Sequence, residues 1–485
     1  MRARRWSGAA YSVALLLSAC AAGPDYRKPE VITAMPVAWK LEAPFRESTP
    51  ADTVAKGPWW QPYGDAKLDA LQRQALTANA TLAVANARLA QARAQVASVS
   101  SSLLPQVNIG VRGARQKISA NRPLSNYNSP NFSTVQNDAA LQFNVNYEVD
   151  LAGRVQRPVE GAQASAQQSA ADLENTRLLI TTELATTYFN LRALDVELDV
   201  LSRSIALQNR ALGLVSSRHD LGAASGLDVA QQQALLDATL AQVDVLRKQR
   251  SQFEHAIATL TGTPAPSFEL PADLTAVTST ALQFSAPIGV PSDVLERRPD
   301  VASAERAMAA ANAQIGVATA AFYPSVILGP SLGVDSRTLG SLFSASSLLW
   351  SIGVSATQTI FDAGRVRANV DFANAGYEAT VASYRRVVLT AMQEVEDGIT
   401  GLASLDRATA QSQQAVGSAR RVLDMATARY EGGASTYLDV ISAQQSLLTV
   451  ERQNAQLQGQ RLVTSVFLVK ALGGGWQQGG ASAGQ

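Results

Sequence analysis

Leu141-Gln142-Phe143-Asn144-Val145-Asn146-Tyr147-Glu148-Val149-Asp150-Leu151 alternates apolar and polar side chains without a break. Successive side chains of a strand point to opposite faces, so this stretch predicts a strand with one apolar and one polar face. Its length suits a tilted strand crossing a bilayer, which takes about 9–11 residues. Gln106 to Gly113 repeats the pattern with Val107, Ile109 and Val111. Weaker versions follow at Val326, Leu328, Leu332 and Val334, and at Ile352, Val354 and Ile360. A half-buried strand on a water-soluble core alternates in the same way, so the periodicity by itself leaves the membrane assignment open.

The residues that follow, Ala152-Gly153-Arg154-Val155, return as Ala363-Gly364-Arg365-Val366, an offset of 211. Arg218, Gly222 and Leu227-Asp228-Val229 return as Arg429, Gly433 and Leu438-Asp439-Val440 at the same offset. Upstream, Ala94-Gln95-Val96 through Leu104-Pro105 answers Ala313-Gln314-Ile315 through Tyr323-Pro324 at 219, so the first copy holds eight extra residues. Such an insertion is expected in a loop. The chain therefore reads as a tandem repeat, each copy a helix, two strands and two long helices.

Proline is absent from 159 to 263 and again after Pro330, which permits long helices in both copies. Ile180, Leu184, Leu191, Leu194, Leu198, Leu201, Ile205 and Leu212 fall on a 4-and-3 spacing, with Thr187 and Gln208 in the two gaps. That is a coiled-coil seam. A helix from about Glu160 to Ser216 would be about 85 Å long, far more than the thickness of a bilayer. Four strands per chain cannot close a membrane barrel, since the smallest have about eight and open edges are not tolerated in lipid. Two copies would supply eight strands and three would supply twelve; a passage for solutes favours three.

Arg2, Arg4 and Arg5 precede an apolar stretch from Ala9 to Ala19, the pattern of a secretory signal. Leu17-Ser18-Ala19-Cys20 matches the bacterial lipobox, so Cys20 is the expected site of a covalent lipid, the one non-protein group anticipated. Ala21 follows it, not the aspartate that often holds lipoproteins at the inner membrane. Cys20 is the sole cysteine, which excludes an intramolecular disulfide framework and a cysteine-based zinc site. A net charge of +1 offers no electrostatic footprint for nucleic acid. His219 and His255 lack a metal-ligand spacing and a neighbouring nucleophile motif, so no catalytic site is expected. The five methionines are scattered, which leaves a soft-metal relay without support.

Together these features resemble the TolC superfamily, in particular its lipoprotein branch of the NodT or OprM type. Trp59-Trp60 with Tyr63, Asp65, Leu68 and Leu71 is similar to that family's entry into its first helix. Arg297-Arg298-Pro299-Asp300 is similar to the start of its second repeat, and Ala471-Leu472-Gly473-Gly474-Gly475-Trp476 to its ending. The resemblance implies a mainly α protein with membrane β-strands, a homotrimer whose β-barrel in the outer membrane continues into a periplasmic α-barrel. It implies a periplasmic adaptor and an inner-membrane pump as partners.

On this reading the chain divides into a signal peptide at 1–19, a lipidated segment at 20–65 and a first repeat at 66–262. An inter-repeat equatorial segment at 263–298, a second repeat at 299–472 and a flexible tail at 473–485 follow. Arg218, Gly222, Leu227 and Asp228, with Arg429, Gly433, Leu438 and Asp439, would form the helical tips. Glycine would end one helix there, and Ser225 or Thr436 would cap the next. The resemblance gives these tips a second task, docking the adaptor and narrowing the tunnel, chiefly on the second repeat. Leu438 would sit in the closing ring. Ser442 stands where a relative carries a carboxylate, so a charged ring would fall to Asp439 or elsewhere. The competing readings are the exit duct of a type I secretion or metal-efflux system, and a purely structural coiled-coil lipoprotein.

Overall fold

A computed structural model describes residues 21–28, 57–118, 134–274 and 297–474. Cys20, most of the equatorial segment and nearly all of the tail lie outside the described residues. The chain forms two compact units. One comprises residues up to Val31 with Leu89–Ser169 and Ala304–Tyr384; the other holds Ile32–Arg88, Ala170–Ser303 and Arg385 onward.

The sheet of the first unit contains β1 (Gln106–Ile118), β2 (Thr134–Val149), β3 (Ser325–Leu328), β4 (Ser331–Ser336), β5 (Leu348–Ser351) and β6 (Val354–Thr357). Six segments replace the four strands expected, and the register explains why. β3 and β4 both pair with β2 on a single continuous register, Tyr147 opposite Leu328 and Asn144 opposite Ser331. β5 and β6 likewise share one register against them, Ser331 opposite Ser351 and Leu328 opposite Val354. The interruption falls at Pro330, which has no N–H to give the ladder, although its carbonyl accepts from Val145 N at 2.9 Å. Gly329 N keeps the pairing with Gly353 O, also at 2.9 Å. Four continuous antiparallel strands result, in the order β1, β2, β3–β4, β5–β6.

That register turns separate alternations into two coherent faces. Ile109, Phe143, Leu332 and Trp350 form one row, and Val111, Leu141, Val334 and Leu348 the next. On the opposite face Asn108, Asn144, Ser331 and Ser351 align. The apolar rows are open to the surroundings of the single chain, Val111 81% and Trp350 69% exposed. Among the described residues, the outer edges of β1 and of β5–β6 have no strand partner in the chain. The extra residues of the first copy go largely into the hairpin itself, where β1 has 13 residues and β2 has 16. The expectation of a pure loop insertion is corrected to that extent.

Helices α1 (Ala66–Ala78) and α2 (Ala80–Ser100) lead into β1, with a break between them. Asn79 makes the break. Its backbone is extended, its carbonyl oxygen caps Leu82 N at 3.1 Å, and its amide donates to Leu260 O at 2.8 Å. α3 (Gln156–Asp220) and α4 (Gly226–Leu260) follow β2; α5 (Pro299–Ala320) precedes β3; α6 (Arg365–Glu431) and α7 (Tyr437–Ala471) close the chain. The 65 residues of α3 make it about 97 Å long, longer than the sequence pattern suggests. Among the described residues no helix is long and apolar enough to cross a membrane.

In the second unit the seam of α3 is buried over most of its length, Leu184, Leu191 and Leu201 fully, Ile180 and Leu194 nearly so, and Leu198, Ile205 and Leu212 partly. The entry motif packs against it. Trp59, Trp60, Tyr63, Leu68 and Leu71 join the core around Tyr188 and Phe189, and polar atoms of the motif are hydrogen-bonded across it. Trp59 Nε1 donates to Thr181 Oγ1 at 3.2 Å, Tyr63 and Ser465 hydroxyls lie 2.7 Å apart, and Tyr188 donates to Asp65 Oδ2 at 2.6 Å. The other oxygen of Asp65 caps α1 through Lys67 N and Leu68 N. Arg298, expected at the start of the second repeat, grips Asp300 with two nitrogens at 2.7 and 3.0 Å, Glu394 at 2.7 Å and Ala471 O at 2.8 Å. This ties the first turn of α5 to α6 and to the end of α7.

Candidate functional site: the helical tips and the chain start

The helix pairs turn as the repeated glycines require. Gly222 and Gly433 have φ of 73° and 72°, a left-handed conformation that an L side chain rarely adopts. Ala223 N bonds to Arg218 O and Gly222 N to His219 O, at 2.7 and 2.8 Å. Ala434 N bonds to Arg429 O and Gly433 N to Tyr430 O, at 2.8 and 3.0 Å. Both are Schellman closures, so the offset seen in the sequence is a shared hydrogen-bond pattern.

Beyond the turns the two tips differ. Ser225 opens α4 with a full capping box: its hydroxyl accepts from Asp228 N at 3.2 Å, and Asp228 Oδ2 accepts from Ser225 N at 3.0 Å. Thr436 occupies the same place before α7, but its side chain makes no capping bond. Thr436 thus begins α7 as expected, its carbonyl accepting from Asp439 N at 3.2 Å, but without the side-chain bond. Asp439 consequently has no N-cap bond to hold its carboxylate, and both Asp439 and Leu438 are exposed. Leu227 is exposed as well, at 65%.

Tyr437 breaks the symmetry further, since its repeat mate is Gly226. It is buried beside Val215, Leu235, Leu423, Val440 and Ile441 in the core under the tips. Its hydroxyl donates to Gln232 Oε1 at 2.9 Å, and Gln232 Nε2 reaches Gln208 O at 3.1 Å. Burial, with Tyr430 and Asp228 nearby, pushes the Tyr437 hydroxyl up to about 12, so it keeps its proton and remains a donor. Tyr430 packs against Tyr437 with centroids 5.0 Å apart and the rings inclined at 58°. Arg218 lies over the Tyr430 ring at 4.8 Å, and its Nη1 is 3.5 Å from Tyr430 O. Arg429 instead reaches, among the described residues, Ala434 O of its own turn, at 3.4 Å. Sequence reasoning singled out Arg218 but missed Tyr430, Tyr437 and Gln232. An aromatic side chain at 437 facing a glycine at 226 was the available signal.

The described start of the chain is fastened within the first unit. Ala22 N bonds to Ala152 O at 2.8 Å, and the buried Arg157 holds Ala22 O, Gly23 O and Asp25 Oδ1 at 3.0–3.3 Å. Asn312 donates to Pro24 O at 2.8 Å. Gly23 lies against Gly316, where an added Cβ would come within 2.6 Å of its Cα. Ala152 lies between the end of β2 and the start of α3, so Ala21 and Ala22 sit at the end of the sheet nearest the helices.

Among the described residues no group of His, Cys, Asp and Glu could hold a metal ion. The chain thus combines a sheet with one exposed apolar face, repeated helix pairs and glycine-turned tips. The outer membrane efflux protein profile matches twice, over 71–263 and 290–474, and the chain belongs to that family. It is similar to the pyoverdine export outer membrane protein OpmQ of Pseudomonas aeruginosa, 32% identical over 96% of each chain. It is also similar to the outer membrane protein OprJ of the same organism, 31% identical over 99% of this chain and 98% of that one. The solved outer-membrane channel OprN superimposes with a TM-score of 0.84 at 29% identity, over 95% of this chain and all of that one. The chain is an outer-membrane efflux channel, of a family of channels and not of enzymes.

Proposed function

We propose that three copies of this chain close a common barrel in the outer membrane and a common helical duct beneath it. Through that duct small toxic molecules, delivered by an inner-membrane pump and a periplasmic adaptor, leave the cell. The observation that carries this reading is the four-strand sheet with two unpaired edges and one apolar face. Unpaired edges are not stable in lipid, and joining β1 of one copy to β5–β6 of the next removes them. Twelve strands leave a passage where eight would be filled by side chains. The hairpin of β1 and β2 lies outside the cell, and the helices lie in the periplasm.

Cys20 carries the lipid. The fastening of Ala22 to Ala152 supports this, because it holds the neighbouring residues at the helix end of the sheet, where the inner leaflet of the outer membrane would lie. The second-repeat tip narrows the duct at rest. Leu438 supplies an apolar ring that excludes ions by dewetting, and Asp439 adds a carboxylate ring that disfavours anions. Their exposure on the face opposite Tyr437, Val440 and Ile441 supports the assignment, as does the absence of a capping bond to Asp439. Arg218 and Asp228 are held by contacts within the tips, Gly222 and Gly433 shape the turns, and Arg429 and Leu227 face outward for the adaptor. Electrophoresis in mild detergent tests the assembly. The unboiled protein should run at about three times the mass of the boiled chain; a species of single-chain mass in both lanes would end the proposal.

A further inference from the structure

The apolar face of the sheet is not wholly apolar. Following the register outward from Val111 along β1, the residues on that face are Gly113, Arg115 and Lys117, opposite Ala139, Asn137 and Val135 of β2. Arg115 and Lys117 are exposed and have no ion pair among the described residues. Every acidic side chain of the strands lies on the other face: Asp138, Glu148 and Asp335 share the parity of Asn144 and Ser331. There Arg112 pairs with Asp138. One arginine of the hairpin is thus neutralised on the polar face, while two cations on the apolar face are left with asparagine, valine and alanine across the strand.

Their height is the informative quantity. From Val149 to Asn137, the partner of Arg115, is twelve residues, about 40 Å along a strand at about 3.4 Å per residue. A tilt of about 40° reduces that to about 31 Å, close to the thickness of a bilayer's hydrocarbon core. The two cations therefore stand at or just beyond the far boundary of the apolar band. Long basic side chains are tolerated there because they place their charge at the headgroup level. A cation with no protein anion, set at that level and on the lipid side, is complementary to an anionic headgroup.

We propose that Arg115 and Lys117 bind the phosphate groups of a phosphorylated lipid in the outer leaflet of the membrane around the barrel. The inference rests on the orientation given above, with the β1–β2 hairpin outside. Bound phosphate would hold the lipid annulus against the hairpin and seal the joint between barrel and outer leaflet. A basic side chain near an anionic lipid surface contributes about fivefold in affinity, so the pair amounts to about thirtyfold.

The test uses the full-length protein purified in neutral detergent, titrated with diphosphorylated lipid A and with the same lipid after enzymatic removal of its phosphates. The wild type should prefer the phosphorylated form by about thirtyfold, and the double variant R115Q/K117Q should bind both forms alike. A preference that survives in the double variant overturns the assignment, as does a wild type that does not discriminate. A second variant, K117C, treated on intact cells with a membrane-impermeant maleimide, separates this failure from failure of the orientation. Labelling on intact cells together with absent lipid discrimination refutes the phosphate site alone. Labelling only after the outer membrane is permeabilised refutes the orientation and the phosphate site with it.

Discussion

Replacing Tyr437 by phenylalanine removes one hydroxyl and leaves the ring, its packing under the tips and its tilted contact with Tyr430. The hydroxyl donates to Gln232 Oε1 at 2.9 Å, and Tyr437 and Gln232 are 3% and 0% exposed. Loss of the donor leaves a buried amide oxygen without that bond, at a cost of about 1–3 kcal/mol. Gln232 Nε2 retains Gln208 O, which points to the middle of that range, about 2 kcal/mol, or about thirtyfold in an equilibrium. The bond joins α7 to α4, the second-repeat tip to the first. If the resting tip is closed by that joint, Tyr437→Phe should raise the open fraction of single channels in planar bilayers by up to about thirtyfold per chain. Cells carrying it should become sensitive to antibiotics too large for ordinary porins. Wild-type open probability, combined with an unchanged unfolding midpoint, would refute the reasoning, because the bond would then hold neither the fold nor the gate.

Leu438→Ala should raise single-channel conductance by widening the apolar ring, whereas Asp439→Ala should chiefly shift ion selectivity toward anions; wild-type behaviour in both would move the constriction to Leu227 and Asp228. Cys20→Ser should abolish incorporation of labelled palmitate, and undiminished labelling would remove the lipoprotein assignment. An epitope inserted between residues 119 and 133 should be displayed on intact cells. Arg298→Ala strips two carboxylates and a carbonyl of their shared donor and should cost about 3 kcal/mol, read as a lower unfolding midpoint. Lysine in its place should restore little, because the paired contacts to Asp300 need the guanidinium fork.

The features legible in the sequence are those written at short range. Alternation from Leu141 to Leu151 is a property of consecutive residues, and it marked β2 and its faces. The 4-and-3 spacing of the α3 seam is equally local, and its leucines are buried at 184, 191, 194 and 201 and partly so at 198 and 212. Gly222 and Gly433 announced the turns because no other residue adopts their backbone readily. The common offset of 211 required no structure, since a duplicated plan leaves its spacing in the chain. Asp65 and the tryptophans before it signalled an entry whose partners, Tyr188, Thr181 and Ser465, lie more than a hundred residues away and carry no mark of it.

What needed the tertiary structure is whatever depends on a partner remote in sequence. The alternation from Val326 to Val334 runs across Pro330 in the sequence, but that the ladder keeps one register on both sides of it is decided by the pairing with β2 and with β5–β6. Ser225 and Thr436 are equivalent as letters, yet one caps a helix with its side chain and the other does not, because the capping hydroxyl must meet a particular amide in space. Tyr437 acquired its role from Gln232 and Gln208, which lie more than two hundred residues before it. Arg112 and Arg115 differ by three positions in sequence, an odd number, and so point to opposite faces. The cross-strand register then supplies an aspartate to the first and none to the second. A strand's period assigns each side chain to a face, but the charge opposite it is chosen by chain folding, which the local pattern does not encode.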